Sequence, residues 1–191
     1  MSSQLKILGF AGSTRSASVN KQLLKAAAHQ AGTHGIDVTI IDLKEYPLPL
    51  YDGDEEESGG MPANALKIKQ LIAKHDAVCI ASPEYNASLT GVLKNTIDWT
   101  SRPGGEDDPG AVWQEQPVVL FSASPGGLGG IRALNHLRAV LLNVSALVLP
   151  AQFALGQAHT AFDDQGHLKD ATARDAVDNV WAQLAKWAQK L

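Results

Sequence analysis

Leu5-Lys6-Ile7-Leu8-Gly9-Phe10-Ala11-Gly12-Ser13-Thr14-Arg15-Ser16-Ala17-Ser18-Val19-Asn20 stands near the start of the chain, and its order of residue types decides the fold. Leu5 to Phe10 is a short apolar run of strand length that breaks at Gly12-Ser13. From about Val19 to His34 the apolar period changes, and Leu23, Leu24, Ala27, Ala28 and Ala31 fall on one helical face. Gly35 stops that helix, as a residue that tolerates the left-handed region. Strand, polar loop, helix is the first half of a β-α-β unit.

The rest of the chain repeats the alternation. Ile36 to Leu43 reads as a second strand rich in β-branched residues, ended by Pro47 and Pro49. Asp52, Asp54, Glu55, Glu56 and Glu57 read as a solvated, mobile acidic loop. A helix is expected from Pro62 to Lys74, a third strand at Ala77 to Ala81, and a helix from Thr90 to Trp99. Arg102 to Gln116 is a Gly/Pro-punctuated loop. A fourth strand at Val118 to Ser122, a helix at Ile131 to Leu142 and a fifth strand at Ser145 to Leu149 follow. The last helix starts near Ala171, with Val177, Val180, Trp181, Leu184, Trp187 and Leu191 in one stripe, which makes the tryptophans core or interface residues. Five strands alternating with helices give an α/β, three-layer sandwich with a parallel sheet. Its order is either the dinucleotide-binding one or the flavodoxin-like 2-1-3-4-5, and five strands in this length favour the second.

Composition narrows the function. A chain of 191 residues with 45% apolar content suits one domain, 1–191, with a real core. The lone Cys79 excludes a disulfide scaffold and, mid-strand, reads as a buried inert thiol. Sixteen basic against 20 acidic residues, net −4, argue against a nucleic-acid partner. Ala139 to Leu149 is too short and too interrupted to span a bilayer, and no signal peptide is evident, so a cytoplasmic protein without a membrane partner is expected. The six histidines show no metal-ligand spacing; His29 and His34 sit near a helix end and read as exposed. Gly-x-Ser-x-Gly is absent. No metal ligand and no catalytic side chain is therefore named.

In either strand order a ligand binds beyond the strand carboxyl ends, where the order reverses. After strand one, Ser13, Arg15, Ser18 and Asn20 crowd a loop that opens a helix, a natural anion site. The loop is neither Gly-x-Gly-x-x-Gly nor a Walker loop, and suits a phosphate monoester. The competing reading makes Ser18 a plain helix N-cap. After strand three, Pro83-Glu84-Tyr85-Asn86 is either a stiff platform for a flat ligand or an ordinary strand-to-helix turn. After strand four, Ser124-Pro125-Gly126-Gly127-Leu128-Gly129-Gly130 allows close backbone approach by a planar ring, or is simply a flexible loop.

Together these segments resemble the NADPH-dependent FMN reductase family, which includes bacterial quinone and chromate reductases. Gly12, Ser13, Arg15, Ser18 and Asn20 match its Gly-Ser-x-Arg-x-x-Ser-x-Asn loop, and Pro83-Glu84-Tyr85-Asn86 its second motif; Leu89 to Trp99 and the Gly-rich loop are similar too. The resemblance implies a flavodoxin-like fold holding FMN. Ser13, Arg15, Ser18, Val19 and Asn20 would be at the phosphate, Pro83, Glu84, Tyr85 and Asn86 along the isoalloxazine, and Ser124 and Gly127 on its other edge. It implies NADPH or NADH as donor, a small-molecule electron acceptor such as a quinone or free flavin, and a homodimer or homotetramer. The acidic 52–57 segment and the 101–116 loop depart from relatives, which touches substrate specificity more than cofactor identity. Two alternatives compete: a flavodoxin-type electron carrier without its own NADPH activity, and a phosphate-binding regulatory module.

Overall fold

The computed structural model describes residues 4–188. Its elements are β1 (Leu5–Ala11), α1 (Val19–Ala31), β2 (Ile36–Ile41), α2 (Gly53–Gly59), α3 (Ala63–Ala73), β3 (Ala77–Ala81), α4 (Gly91–Thr100), β4 (Pro117–Ala123), α5 (Ile131–Asn143), β5 (Leu147–Leu155) and α6 (Ala171–Ala188). The five strands pair in parallel in the order β2-β1-β3-β4-β5. This is the flavodoxin-like order. Every residue of β3 and β4 is buried, because helices cover both faces of the sheet.

Alternate strand residues feed two cores. Ile7, Cys79, Val119 and Phe121 pack with Leu23, Leu24 and Ala27 of α1 and Val177 and Trp181 of α6. Leu8, Phe10, Val78, Ile80 and Leu120 face the other way, onto α3, α4 and α5. Trp181 is buried and donates from Nε1 to the Ala27 carbonyl at 2.8 Å; Trp187 packs half-buried on the same core, while Leu191 lies outside the described residues. Cys79 is fully buried and burial pushes its thiol pKa up, so the thiolate is suppressed. No helix among the described residues is long and apolar enough to cross a membrane, and none of them forms a metal-binding cluster of three or more His, Cys, Asp or Glu.

Four expectations change. The acidic 52–57 segment is not a mobile loop: α2 covers Gly53–Gly59, and the Asp52 side chain caps it by accepting from the Asp54 N–H at 2.9 Å. Glu56 then accepts from Tyr51 Oη at 2.8 Å and from Arg102 Nε at 3.0 Å, which straps the segment along α4. The Tyr51 ring also meets Trp99 edge-on at 5.1 Å. β5 runs through Pro150 to Leu155; it is an edge strand with a register irregularity, the two settings that tolerate proline. Arg138 donates to the Val148 and Leu149 carbonyls and to Gln152 there. His29 is exposed as expected, but His34 is half-buried and 2.8 Å from Asp178 Oδ1.

The fourth concerns the 101–116 loop. It lies at the amino ends of the strands, where Gln116 bonds to Leu147 N–H and to the His75 carbonyl, away from the end where substrate would bind. A buried ion pair fastens it: Lys69 Nζ sits 2.5 Å from Asp108 Oδ1, with the lysine side chain 1% exposed. Lys69 also donates to the Arg102 carbonyl at 2.7 Å, and Asp108 Oδ2 accepts from the Gly104 N–H at 2.6 Å.

Candidate functional site

β1, β3 and β4 end side by side at Ala11, Ala81 and Ala123, and the segments that follow them are stitched together. Gly12 N–H donates to the Ala81 carbonyl at 2.9 Å. The Thr90 hydroxyl donates to the Gly12 carbonyl at 2.7 Å while accepting from the Leu93 N–H as the N-cap of α4. Gly12 must be glycine here, since a Cβ would come within 2.9 Å of the Leu93 Cβ. On the other side, Ser122 Oγ donates to the Ser82 carbonyl at 2.7 Å. Gly130 has φ +90° and sits so close that an added Cβ would lie 2.0 Å from Ser122 Oγ. The sequence thus brings the three motif loops to one mouth, at the point where the strand order reverses.

The loop after β1 holds polar groups without partners. Ser18 occupies the N-cap position of α1 yet its hydroxyl makes no capping bond, although the residue is only 6% exposed. No acidic residue lies in the first turn of α1, so the positive end of that helix is not neutralised locally. Arg15 is exposed and forms no ion pair among the described residues. Ser13 is buried and its Oγ accepts from the Arg15 N–H at 3.3 Å, which folds the loop back over the helix end. Val19, half-buried, starts α1 and packs on the core below. A plain N-cap serine would be hydrogen-bonded to the first turn, so the capping reading of Ser18 fails on geometry. What remains is an oxygen and free helix N–H groups at the start of α1, with an exposed cation three residues before Ser18 in the same loop, the residue types that bind an anion.

Asn20 differs from its neighbours. It is 1% exposed, and its Nδ2 donates to the Ala123 carbonyl while its Oδ1 accepts the Ala123 N–H, both at 2.8 Å.

The turn after β3 is a small hairpin. Tyr85 and Ser88 exchange two backbone hydrogen bonds of 3.0 Å around Asn86 and Ala87, which have φ of 52° and 63°. Pro83 is buried, Asn86 is exposed, and Tyr85 stands 55% exposed at the rim. Glu84 turns the other way, to the N-terminus of α5. Its Oε2 accepts from the Arg132 and Ala133 N–H groups at 3.1 and 3.3 Å, and its Oε1 from Arg132 Nε at 2.7 Å and from the guanidinium terminus. Hydrogen bonds from the Arg132 side chain hold the Glu84 carboxyl below the usual carboxylate range.

The loop after β4 is shaped by backbone bonds. Ser124 donates through its N–H to Leu155, accepts the Ala158 N–H at its carbonyl, and accepts the Gly126 N–H at Oγ. Gly127 is exposed, whereas Gly129 is buried with φ +63° against the backbone of Ala154. Leu128 projects 61% exposed. The motifs alone did not show Thr90, Ser122 or Gly156 as parts of the mouth; Gly156 packs against the Gly-rich loop, where an added Cβ would lie 2.6 Å from the Gly127 carbonyl oxygen. Thr90 carries a readable signal, a hydroxyl residue directly before a helix; Ser122 and Gly156 carry none.

The geometry agrees with what related proteins are. Residues 5–160 match the family described as NADPH-dependent FMN reductase. The chain is 37% identical to an NAD(P)H-dependent FMN reductase of Pseudomonas aeruginosa, over 100% of this chain and 99% of that protein. It is 32% identical to a quinone reductase of Escherichia coli, over 99% and 96%. The flavoenzyme NAD(P)H:(acceptor) oxidoreductase FerB of Paracoccus denitrificans superposes with a TM-score of 0.82 at 28% identity, covering 97% of this chain and 98% of that one. With the sheet order and a match over most of its length in agreement, the chain belongs to the NADPH-dependent FMN reductase family.

Proposed function

We propose that this protein is an FMN-dependent NAD(P)H oxidoreductase that delivers electrons to a quinone, a free flavin or a similar small-molecule acceptor. The observation that carries the reading is the unneutralised start of α1, with a Ser18 hydroxyl that makes no capping bond and, in the same loop, an Arg15 that is exposed and forms no ion pair among the described residues. That set fits the terminal phosphate of FMN. Ser13, Arg15, Ser18 and the first N–H groups of α1, beginning at Val19, would hold it. Pro83, Tyr85 and Asn86 would line one edge of the isoalloxazine, and Ser124 and Gly127 the other.

Hydride in from NADPH or NADH, and electrons out to the acceptor, is the chemistry FMN supplies when bound. The chain's own part is to bind and orient. The exposed Tyr85 leaves one side of the mouth open, so donor and acceptor can use the same face in turn. Glu84, the carboxylate of the turn, is ion-paired to Arg132, so it is not set up as a general acid or base. No side chain is assigned a catalytic proton transfer.

The same reading treats residues 1–191 as one FMN-binding domain, places it in the cytoplasm, and includes association as a homodimer or homotetramer, which analytical ultracentrifugation decides. The test of function is a visible spectrum of the purified protein supplied with FMN, then anaerobic NADPH, then a quinone. Bound flavin that bleaches and recovers supports the reading. Bound flavin that stays oxidised makes the protein an electron carrier, and no bound flavin overturns the proposal.

A further inference from the structure

We infer that Asn20 and Glu84 are positioning residues: they hang the glycine-rich loop after β4 from the other two loops and do not touch the cofactor. The inference rests on the reading that FMN binds at this mouth. It reassigns two residues whose motif positions would otherwise make them a phosphate ligand and a ring contact.

The reason for Asn20 lies in strand lengths. β3 pairs with β4 only as far as Ala81 opposite Phe121, and Ser82 N–H then donates to the Phe121 carbonyl. β4 continues to Ala123, whose N–H and carbonyl on that side have no strand to meet. Unpaired peptide groups at a buried position are costly. The Asn20 carboxamide supplies the missing pair, one donor and one acceptor at 2.8 Å each, just as a peptide of a further strand would. It does so from 103 residues away in sequence, and at 1% exposure it has no surface left for a phosphate.

Glu84 does the same for the far side of the loop. A carboxylate offers about four acceptor sites. Two take backbone N–H groups of the first turn of α5 and two take the Arg132 guanidinium. The side chain is 8% exposed, with Arg132 covering it from outside. α5 begins directly after Gly130, so fixing its first turn fixes where the loop of residues 124–130 ends. One end of that loop is therefore set by Asn20 and the other by Glu84, and the gap left for a planar ring follows from both.

Riboflavin lacks only the phosphate of FMN, so paired titrations separate a brace from a ligand. The affinities of wild type, Asn20→Ala and Arg15→Ala for FMN and for riboflavin would be measured together with thermal unfolding. Asn20→Ala is expected to weaken both flavins by the same factor, about tenfold, and to lower the unfolding temperature. Arg15→Ala is expected to weaken FMN alone. Loss of FMN without loss of riboflavin in Asn20→Ala overturns the assignment. Should Asn20→Ala not fold, Asn20→Ser, which keeps one hydrogen-bonding group, is read by the same criterion. For Glu84, the variants Glu84→Ala, Arg132→Ala and their double are expected to lose riboflavin affinity alike, the double no more than either, with an unshifted absorption band of the bound flavin. A band shift in Glu84→Ala that Arg132→Ala does not share shows a ring contact and sinks the brace. A wild type that binds neither flavin removes the FMN reading itself, and is seen before any variant is compared.

Discussion

The loop after β1 and the turn after β3 contain the same kinds of residue and use them in opposite ways. In the loop that ends at Ser18, a hydroxyl without a capping bond, an exposed arginine without an ion pair among the described residues and the end of a helix with no acidic residue in its first turn stand together in sequence. Around Glu84 a carboxylate, an arginine and the end of a helix are bonded to one another. Both are dense in polar atoms, and both sit at strand carboxyl ends. Polar density therefore does not distinguish the two segments; whether the polar groups are already committed to one another does. The base of the sheet carries the extreme case of commitment, Lys69 and Asp108, with two buried charges closed on each other and on backbone.

The largest effect should come from breaking that closed pair. Lys69→Met leaves Asp108 buried without its cation, a change that costs about 3–5 kcal/mol. It should appear as a lower denaturation midpoint in urea, with FMN affinity unaltered because the loop lies at the other end of the sheet. A loss of FMN binding in the folded variant would mean that the two ends of the sheet are coupled. Acid offers the same test without mutation. Burial pushes the Asp108 carboxyl up, but bonds from Lys69 and from the Gly104 and Gly110 N–H groups outweigh it, and the net shift is below the ordinary value of 3.8. A depressed carboxylate stabilises fully above its unfolded value and loses that contribution as pH falls through the folded one. Stability measured by urea unfolding should hold from neutral pH to about 4 and then decline, and Lys69→Met should not show that loss.

Next in size is Arg15→Ala. A charge-assisted hydrogen bond is worth about 1.5–3 kcal/mol, or roughly ten- to a hundredfold in affinity. FMN binding should weaken by that factor while the unfolding temperature stays put, because Arg15 is exposed and holds no ion pair in the protein. An unchanged dissociation constant would place the phosphate elsewhere and leave the free groups of this loop without a role.

Much of this was legible in the sequence. The five strands stand out as apolar runs between turn residues, and their number favours the observed 2-1-3-4-5 order over the dinucleotide-binding one. The burial of Cys79 followed from its place in a continuous apolar run, and that of Trp181 from the stripe of the last helix. What escaped has specific causes. α2 has no apolar stripe, so its only signals were Asp52 as a cap and the acidic first turn of Asp54, Glu55 and Glu56, which read equally as a charged loop. β5 reads short in the sequence because Pro150 suggests an end, and only the sheet order shows that the strand lies on an edge. The tasks of Asn20 and Glu84 depend on partners 103 and 48 residues away, Ala123 and Arg132, and no local pattern carries that distance.

The smallest effect tests how far the turn after β3 is held in place by its surroundings. Asn86 and Ala87 both have positive φ, as the central residues of a tight hairpin turn of the primed kind require. Asparagine accepts this region readily, but alanine does not: a Cβ there costs about 1–2 kcal/mol. Glycine would relieve the strain and add back about 0.4–1 kcal/mol of unfolded-chain entropy. Ala87→Gly should therefore stabilise the protein by a few tenths to about 1 kcal/mol. The strain persists because Glu84 and the Tyr85–Ser88 pair fix the turn on either side. If Ala87→Gly raises the unfolding temperature and leaves flavin affinity alone, the turn's shape is dictated by those bonds. If affinity falls instead, the alanine methyl itself is part of the flavin surface, and the turn after β3 joins the loop after β1 as a place where the chain keeps groups in reserve for its ligand.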